Sequence, residues 1–290
     1  MYITPLATDQ DSLERVGGKG RSLSKMVREG FNVPTGFIVT TDAYRSFIAD
    51  NGLQADIVHN AKPQLKAGYP AFDQSAAVIS DLIRQAAMND ALIAAIKRAY
   101  RELQAGGGDD APVAVRSSAN AEDLPGLSFA GQQETYLNVC GEDAVVKAVG
   151  DCWASLWTTQ AISYRHQNGI DQDSVAMGVV VQLMVPSEVS GILFTANPAS
   201  GERSEFIING SFGLGEAVVS GQVTPDTYII NREDLSVKEE HLGPKEQQIT
   251  SDGKNGVRME PVAEEDRAKS SISIDQLQQL CETALRIEQL

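Results

Sequence analysis

Apolar residues recur at helical spacing over three long stretches of this chain and crowd into short β-branched runs between them. In AAVISDLIRQAAMNDALIAAIKRAYREL, Ile79, Leu82, Ile83 and Ala86 fall on one side of a helix, and Leu92, Ile93, Ile96 and Tyr100 continue the stripe. Residues 52–105 are therefore predicted to be helical and amphipathic. Gly106, Gly107, Gly108, Asp109 and Asp110 break the pattern and predict a flexible joint. Val145, Val149, Trp153, Leu156 and Trp157 predict a helix pair over residues 142–169. The four-residue spacing of the two tryptophans suits core packing better than a stacking platform. IDQLQQLCETALRIEQL is a further amphipathic helix that reaches Leu290 without a stop signal, so the chain is expected to be cut from something longer.

The β-branched runs give the strands. SVAMGVVVQLMV predicts a buried strand ending before Pro186, and SGILFTANP, SEFIINGSFG and DTYIINRE predict successive strands of a second lobe, separated by Gly, Pro and Asp turns. Residues 232–270 are charged and read as irregular. Near the start, Gly17, Gly18, Lys19 and Gly20 form a glycine turn opening a short helix through Leu23, Met26 and Val27, which Gly30 stops. FNVPTGFIVTT is extended, and Thr41 or Asp42 caps a helix over DAYRSFIAD.

Composition narrows the partners. With 290 residues, the chain is long enough for two lobes with sizeable cores. A formal charge of -15 argues against nucleic acid and anionic membrane as non-specific partners, because both need a basic face. Cys140, Cys152 and Cys281 are odd in number and widely spaced, and read as small buried residues in a reducing compartment. The N-terminus lacks the basic and apolar regions of a secretory signal, and no apolar run of about 18 residues is present. The expectation is a soluble, cytoplasmic protein.

The candidate chemistry sits in APVAVRSSANAEDLPGLSFAGQQETYLNV. A strand-like run from Ala111 to Val115 ends in Arg116, followed by Ser117 and Ser118, and a loop containing Gly126 and Gly131 leads to Thr135. An arginine at a strand end is often a surface cation. Flanked by hydroxyls and followed by a glycine loop uncharged from Leu124 to Gln133, it is better suited to clamping phosphate oxygens, with the loop as a lid. Glu122 and Asp123 read as a turn cap. Lys19 lies where backbone amides and the positive end of a helix attract anions, although Gly17 to Gly20 are equally a plain glycine turn. GGKG is no Walker loop, and Gly210 to Gly215 lack dinucleotide-binding spacing and read as a tight turn before EAVVSG. Glu216 and Asp226 are possible magnesium ligands, but roles at a helix start and a turn are favoured. His59, His166 and His241 are isolated and are assigned no catalysis.

VGGKGRSLSKM, VPTGFIVTTDAY, VAVRSSANAEDLPGLSFAGQQETYLNV, SGILFTANP and GLGEAVVSGQVTPDTY together resemble the nucleotide-binding domain of the phosphoenolpyruvate synthase and pyruvate phosphate dikinase family, shared by the rifampicin phosphotransferases. The resemblance implies an α+β, ATP-grasp-like fold with ATP held between two lobes, residues 1–185 with the phosphate lid and residues 186–290. It implies ATP and Mg2+ as ligands, with Lys19 and Arg116 as phosphate-binding cations, Gly131 and Thr135 in the lid, and Gln182 on the strand that meets adenine and ribose. A phosphoryl group of ATP would pass to a histidine on a separate swivelling domain, which delivers it to an acceptor-binding domain, with AMP and phosphate left behind. The swivelling domain's glycine-rich histidine motif and the acceptor domain are absent from this sequence, and the family's acidic segment with magnesium ligands and a further arginine would begin past Leu290. The resemblance thus implies a donor module of a synthase-like dikinase. A rifampicin phosphotransferase domain and a nucleotide-binding subunit without turnover are the alternatives.

Overall fold

A valine-rich strand over Met177–Leu183 closes the first of the chain's two units. The computed structural model describes residues 1–66, 69–104, 110–120 and 134–290, and it divides into Met1–Met184 and Val185–Leu290.

The first unit contains, in order, β1 (Ile3–Pro5), α1 (Leu13–Arg28), β2 (Gly36–Val39), α2 (Thr41–Asp50), α3 (Gln54–Asn60), β3 (Gln64–Lys66), β4 (Tyr69–Ala71), α4 (Asp73–Gln85), α5 (Asp90–Gln104), β5 (Val113–Ala119), β6 (Thr135–Val139), α6 (Glu142–Ser155), α7 (Thr159–Gln167) and β7 (Met177–Leu183). Five strands form one antiparallel sheet in the order β1-β2-β7-β5-β6. The chain leaves and re-enters this sheet through its helices, which gives an α+β arrangement.

Residues directly opposite in neighbouring strands share a face. Phe37, Val39, Val113, Val115, Val179 and Val181 lie on one face and are sealed by α2 and α4 to α7 in the main core. Ile79, Ile83, Leu92, Ile96 and Tyr100 are buried there, as their spacing predicts. Trp153 and Trp157 are core residues. Trp153 packs against Tyr44 and Phe47 with ring centroids 5.9 and 5.0 Å apart, and Trp157 Nε1 donates to Tyr44 Oη at 3.0 Å. Burial pushes the Tyr44 phenol up to about 12, so it stays neutral and accepts that bond. Arg165 stacks over Trp157 at 4.9 Å and donates to Leu156 O and Gln172 Oε1. His166 packs on Phe72 at 5.3 Å.

In the second unit, β8 (Val189–Phe194), β9 (Glu205–Phe212), β10 (Asp226–Asn231) and β11 (Val237–His241) form an antiparallel sheet ordered β11-β10-β9-β8. α8 (Glu216–Val219) follows β9, β12 (Gln247–Ser251) pairs with β13 (Val257–Pro261), and α9 (Glu264–Arg267) precedes α10 (Ile274–Glu288). α10 starts with a capping box between Ser273 and Gln276. It lays Leu277, Cys281 and Ala284 on Phe206, Ile208, Tyr228 and Ile230 of the sheet.

Several sequence expectations change. Residues 52–105 are not helical throughout, since β3 and β4 interrupt them, and residues 232–270 are not irregular but hold β11, β12, β13 and α9. Both errors have one cause. Leu65 and Tyr69 are 78% and 76% exposed, β11 carries Lys238, Glu239 and Glu240 outward and β12 fully buries only Ile249, so these strands show too few buried positions for an alternation to be read. α2 is preceded by Thr40 rather than capped by Thr41 or Asp42, because Thr41 Oγ1 donates to Glu14 O instead. Cys152 and Cys281 are fully buried but Cys140 is only half-buried. Gly106, Gly107, Gly108 and Asp109 lie outside the described residues.

Candidate functional site

The face of the first sheet turned away from the main core carries Gly36, Ile38, Ala114, Arg116, Ser118, Gly178, Val180, Gln182 and Thr135. The alternation of β5 puts them there. Val113, Val115 and Ala119 go to the main core, while Ala114, Arg116 and Ser118 go to the other side. Arg116 stands opposite Val180 in β7 and Thr135 in β6, so two residues implied by the family motif, Arg116 and Thr135, are cross-strand neighbours, both half-buried. Gln182 stands opposite Ala114 and Gly36. Its Nε2 donates to Pro34 O at 2.9 Å, which fixes the plane of the amide.

α1 packs on the same face, where Val16, Leu23 and Val27 meet Ile38 and Val180. The glycine cluster does not simply open the helix. A helical turn from Leu13 to Val16 precedes it, Gly17 breaks the helix with φ 73° and ψ 177°, and Lys19 follows half-buried at the start of the next segment. Close backbone packing accounts for the glycines. A Cβ on Gly17 would lie 1.9 Å from Ser118 O, and one on Gly178, opposite Ser118, would lie 2.9 Å from Val16 O. The Gly20 amide, which the sequence offers as an anion donor, is bound to Ser118 Oγ at 3.0 Å, and that hydroxyl donates to Val16 O at 2.7 Å.

The structure therefore brings Lys19, Arg116, Thr135 and Gln182 to one sheet face, through β5, β6, β7 and the helix packed on them. Gly131, with the rest of the segment expected to act as a lid, lies outside the described residues. The thiol of Cys152, behind β5, is pushed well above the usual thiol range, by burial first and by Asp151 next, while the Lys19 charge pulls the other way. The Cys281 thiol is pushed up to about 11 by burial alone. Both are protonated at neutral pH and unsuited to nucleophilic chemistry.

The acids of the second unit serve the fold. Asp226 is fully buried and pairs with Lys245, and it accepts from the amides of Gly243 at 2.9 Å and Ser271 at 2.8 Å and from Tyr228 Oη at 3.2 Å. Burial alone raises its carboxyl, but the bonds from Lys245, Ser271 and Gly243 outweigh burial and hold it below the ordinary range. Glu216 occupies the first turn of α8, a helix of four residues. Among the described residues no group of three or more His, Cys, Asp or Glu gathers as a metal site. A cavity of about 410 Å³ beside β8 and α10 is lined by apolar and neutral polar residues from Val189 to Thr283, with no cation for a phosphate. The tight turn expected over Gly210 to Gly215 is shorter than its sequence suggests, since Gly210, Ser211 and Phe212 end β9 and only Gly213 to Gly215 turn into α8. Gly213 has φ 77° and donates to Glu188 O, and Leu214 donates to Ile249 O.

Sequence comparison adds the family. Residues 13–290 match the pyruvate phosphate dikinase AMP/ATP-binding domain. A probable phosphoenolpyruvate synthase of Methanocaldococcus jannaschii is 43% identical over 273 residues, covering 94% of this chain and 23% of the relative. The phosphoenolpyruvate synthase of Aeropyrum pernix is 43% identical over 245 residues, 84% of this chain and 30% of the relative. The rifampicin phosphotransferase of Streptomyces sviceus is 40% identical over 284 residues, 97% of this chain and 32% of the relative. The chain thus spans about a quarter to a third of the length of these relatives.

Proposed function

We propose, for a chain that belongs to the pyruvate phosphate dikinase AMP/ATP-binding domain family, that it is the ATP-binding, phosphoryl-donor part of a dikinase-type phosphotransferase similar to phosphoenolpyruvate synthase. The observation that carries the reading is the cross-strand placement of Arg116 and Thr135 on the sheet face that also receives the Lys19 turn and Gln182. The donor set suits a polyphosphate. Arg116 offers a planar fork of N–H groups, Lys19 a compact positive charge and Thr135 a hydroxyl, and none of the three needs to lose a proton to bind an anion.

The chemistry asked of such a site is positioning and charge neutralisation. Arg116 and Lys19 hold phosphate oxygens and stabilise the negative charge that shifts as the phosphoryl group leaves. Thr135 donates to an oxygen beside Arg116, and Gln182, held by Pro34, borders the adenine and ribose. Gly131 and its neighbours act as the lid over the phosphates. In this reading residues 1–185 and 186–290 are the two lobes of an ATP-grasp module. Mg2+ belongs to it as the companion of ATP, but the described acids do not form its cage, since Asp226 is saturated by protein donors, and no step is assigned to the ion. The phosphoryl group passes to a histidine of a swivelling domain outside this sequence, which serves an acceptor domain, and AMP and phosphate remain.

Synthase-like relatives at 43% identity favour pyruvate as the ultimate acceptor. The rifampicin phosphotransferase at 40% over 97% of the chain supports a drug acceptor as the second reading. The cytoplasm is the proposed location. Among the described residues no helix is long and apolar enough to cross a membrane.

Calorimetric titration of ATP and AMP into the chain tests the phosphate site. Each charge-assisted contact to the outer phosphates contributes about 1.5 to 3 kcal/mol, so ATP should bind on the order of tenfold or more tightly than AMP. Equal affinities, or no binding of either, would refute the reading.

A further inference from the structure

Ser118 joins the two halves of the proposed phosphate site. It lies two residues beyond Arg116 on the same face of β5, about 7 Å along the strand, and it is completely buried. Its single hydroxyl is used in both directions, donating to Val16 O at 2.7 Å and accepting from Gly20 N at 3.0 Å. These two partners bracket the break at Gly17, so the hydroxyl spans the segment that carries Lys19. Gly17 lies against the Ser118 backbone, where a Cβ would be 1.9 Å from Ser118 O. A Cβ at Gly17 would lie 2.4 Å from Ser118 Oγ, and one at Gly20 would lie 3.2 Å from Ile38 Cδ1 and 3.5 Å from Ser118 Oγ. A side chain at Gly17 would push the turn away from β5 and break both bonds.

We infer that Ser118 is a positioning residue, which fixes the spacing between Lys19 and Arg116 and so lets both cations engage one polyphosphate. The inference rests on the ATP reading above. Ser118 makes no contact with nucleotide itself; it acts through the placement of Lys19. Without its hydroxyl the Gly20 amide and the Val16 carbonyl lose their common partner on β5. Lys19 then samples positions in which only Arg116 meets the phosphates.

A double-mutant cycle on the chain, read by ATP titration, separates this role from a merely structural one. Ser118→Ala should weaken ATP binding on the order of tenfold in the wild-type background, the scale of one lost charge-assisted contact. In a Lys19→Ala background it should change affinity by less than about twofold, because the residue it positions is gone. AMP affinity should be unchanged in both backgrounds. Ser118→Cys, nearly isosteric with a weak S–H donor, covers the case in which the alanine variant does not fold, and it should show the same dependence on Lys19. An equal loss in both backgrounds, or full ATP affinity in a folded Ser118→Ala protein, overturns the inference and leaves the ATP site standing. A wild type that binds no ATP, or a Lys19→Ala protein that binds it normally, overturns the site reading and this inference with it.

Discussion

On one face of β5, Val113, Val115 and Ala119 are sealed under α6 and the aromatic cluster of Tyr44, Phe47 and Trp153; on the other, Ala114, Arg116 and Ser118 meet α1 and a half-buried surface. The same strand serves both because its side chains alternate, with no residue doing both jobs. The main-core face holds apolar groups whose burial stabilises the unit. The α1 face holds cations, hydroxyls and an amide beside a smaller apolar cluster, with Ser118 and Gln182 bonded to backbone groups. Stability and binding should therefore separate by face. The second unit supplies the contrast within its own core, where the buried Asp226 and Lys245 satisfy each other and neither is left to hold a ligand.

The largest effect should come from the sealed face. Trp153→Ala empties the centre of the aromatic cluster and should cost about 3 to 5 kcal/mol of stability in chemical denaturation. Its ATP affinity, measured at a temperature where the protein is still folded, should stay near wild type. A loss of affinity without a loss of stability would break the separation.

Asp226→Asn should approach that cost. It leaves Lys245 buried without its counter-charge, a change that typically costs about 3 to 5 kcal/mol, with no direct effect on phosphate binding. The pH dependence has a defined sign. The folded carboxyl lies below its ordinary value, so its contribution is fully present above the unfolded value, about 3.9, and is lost as pH falls through the lower folded value. Acid titration of the wild type followed by circular dichroism should show this loss, and the asparagine variant should lack that component.

Lys19→Ala should do the reverse of Trp153→Ala, lowering ATP affinity by about 1.5 to 3 kcal/mol with little change in melting temperature. Gln182→Ala is the smallest of the set. Removing the bond to Pro34 O should cost about 0.5 to 1.5 kcal/mol of stability, and ATP and AMP should weaken together, because the residue borders the base and not the outer phosphates. A preferential loss of ATP over AMP would move Gln182 out of its assigned place.

The elements that bury a face were legible in the sequence. α4, α5, α6, α7 and α10 follow from helical spacing, and β7 follows from Val179, Val180 and Val181. Strands that bury one residue or none were not, as β3, β4, β11, β12 and β13 show, since mostly exposed ribbons leave no alternation to read. The same limit applies to the site. The side chains able to hold phosphate could be named from residue type and motif order, but their convergence depends on register. Nothing local in the sequence says that Arg116 stands opposite Thr135 across a pairing that contains a bulge. Nor does it say that Ser118 reaches back 98 residues to Gly20. The buried pairing of Asp226 with Lys245 was hidden for the same reason, because the two are 19 residues apart and joined only by the fold.

Arg116, the cation set into the sheet itself, is the centre of the proposed phosphate site. Calorimetric titration of ATP into wild type and Arg116→Ala, with thermal melts of both, tests it directly. The account predicts an unchanged melt and a loss of about 2 to 4 kcal/mol in binding, enough to take ATP out of the measurable range. A folded Arg116→Ala protein that binds ATP as tightly as wild type would contradict it.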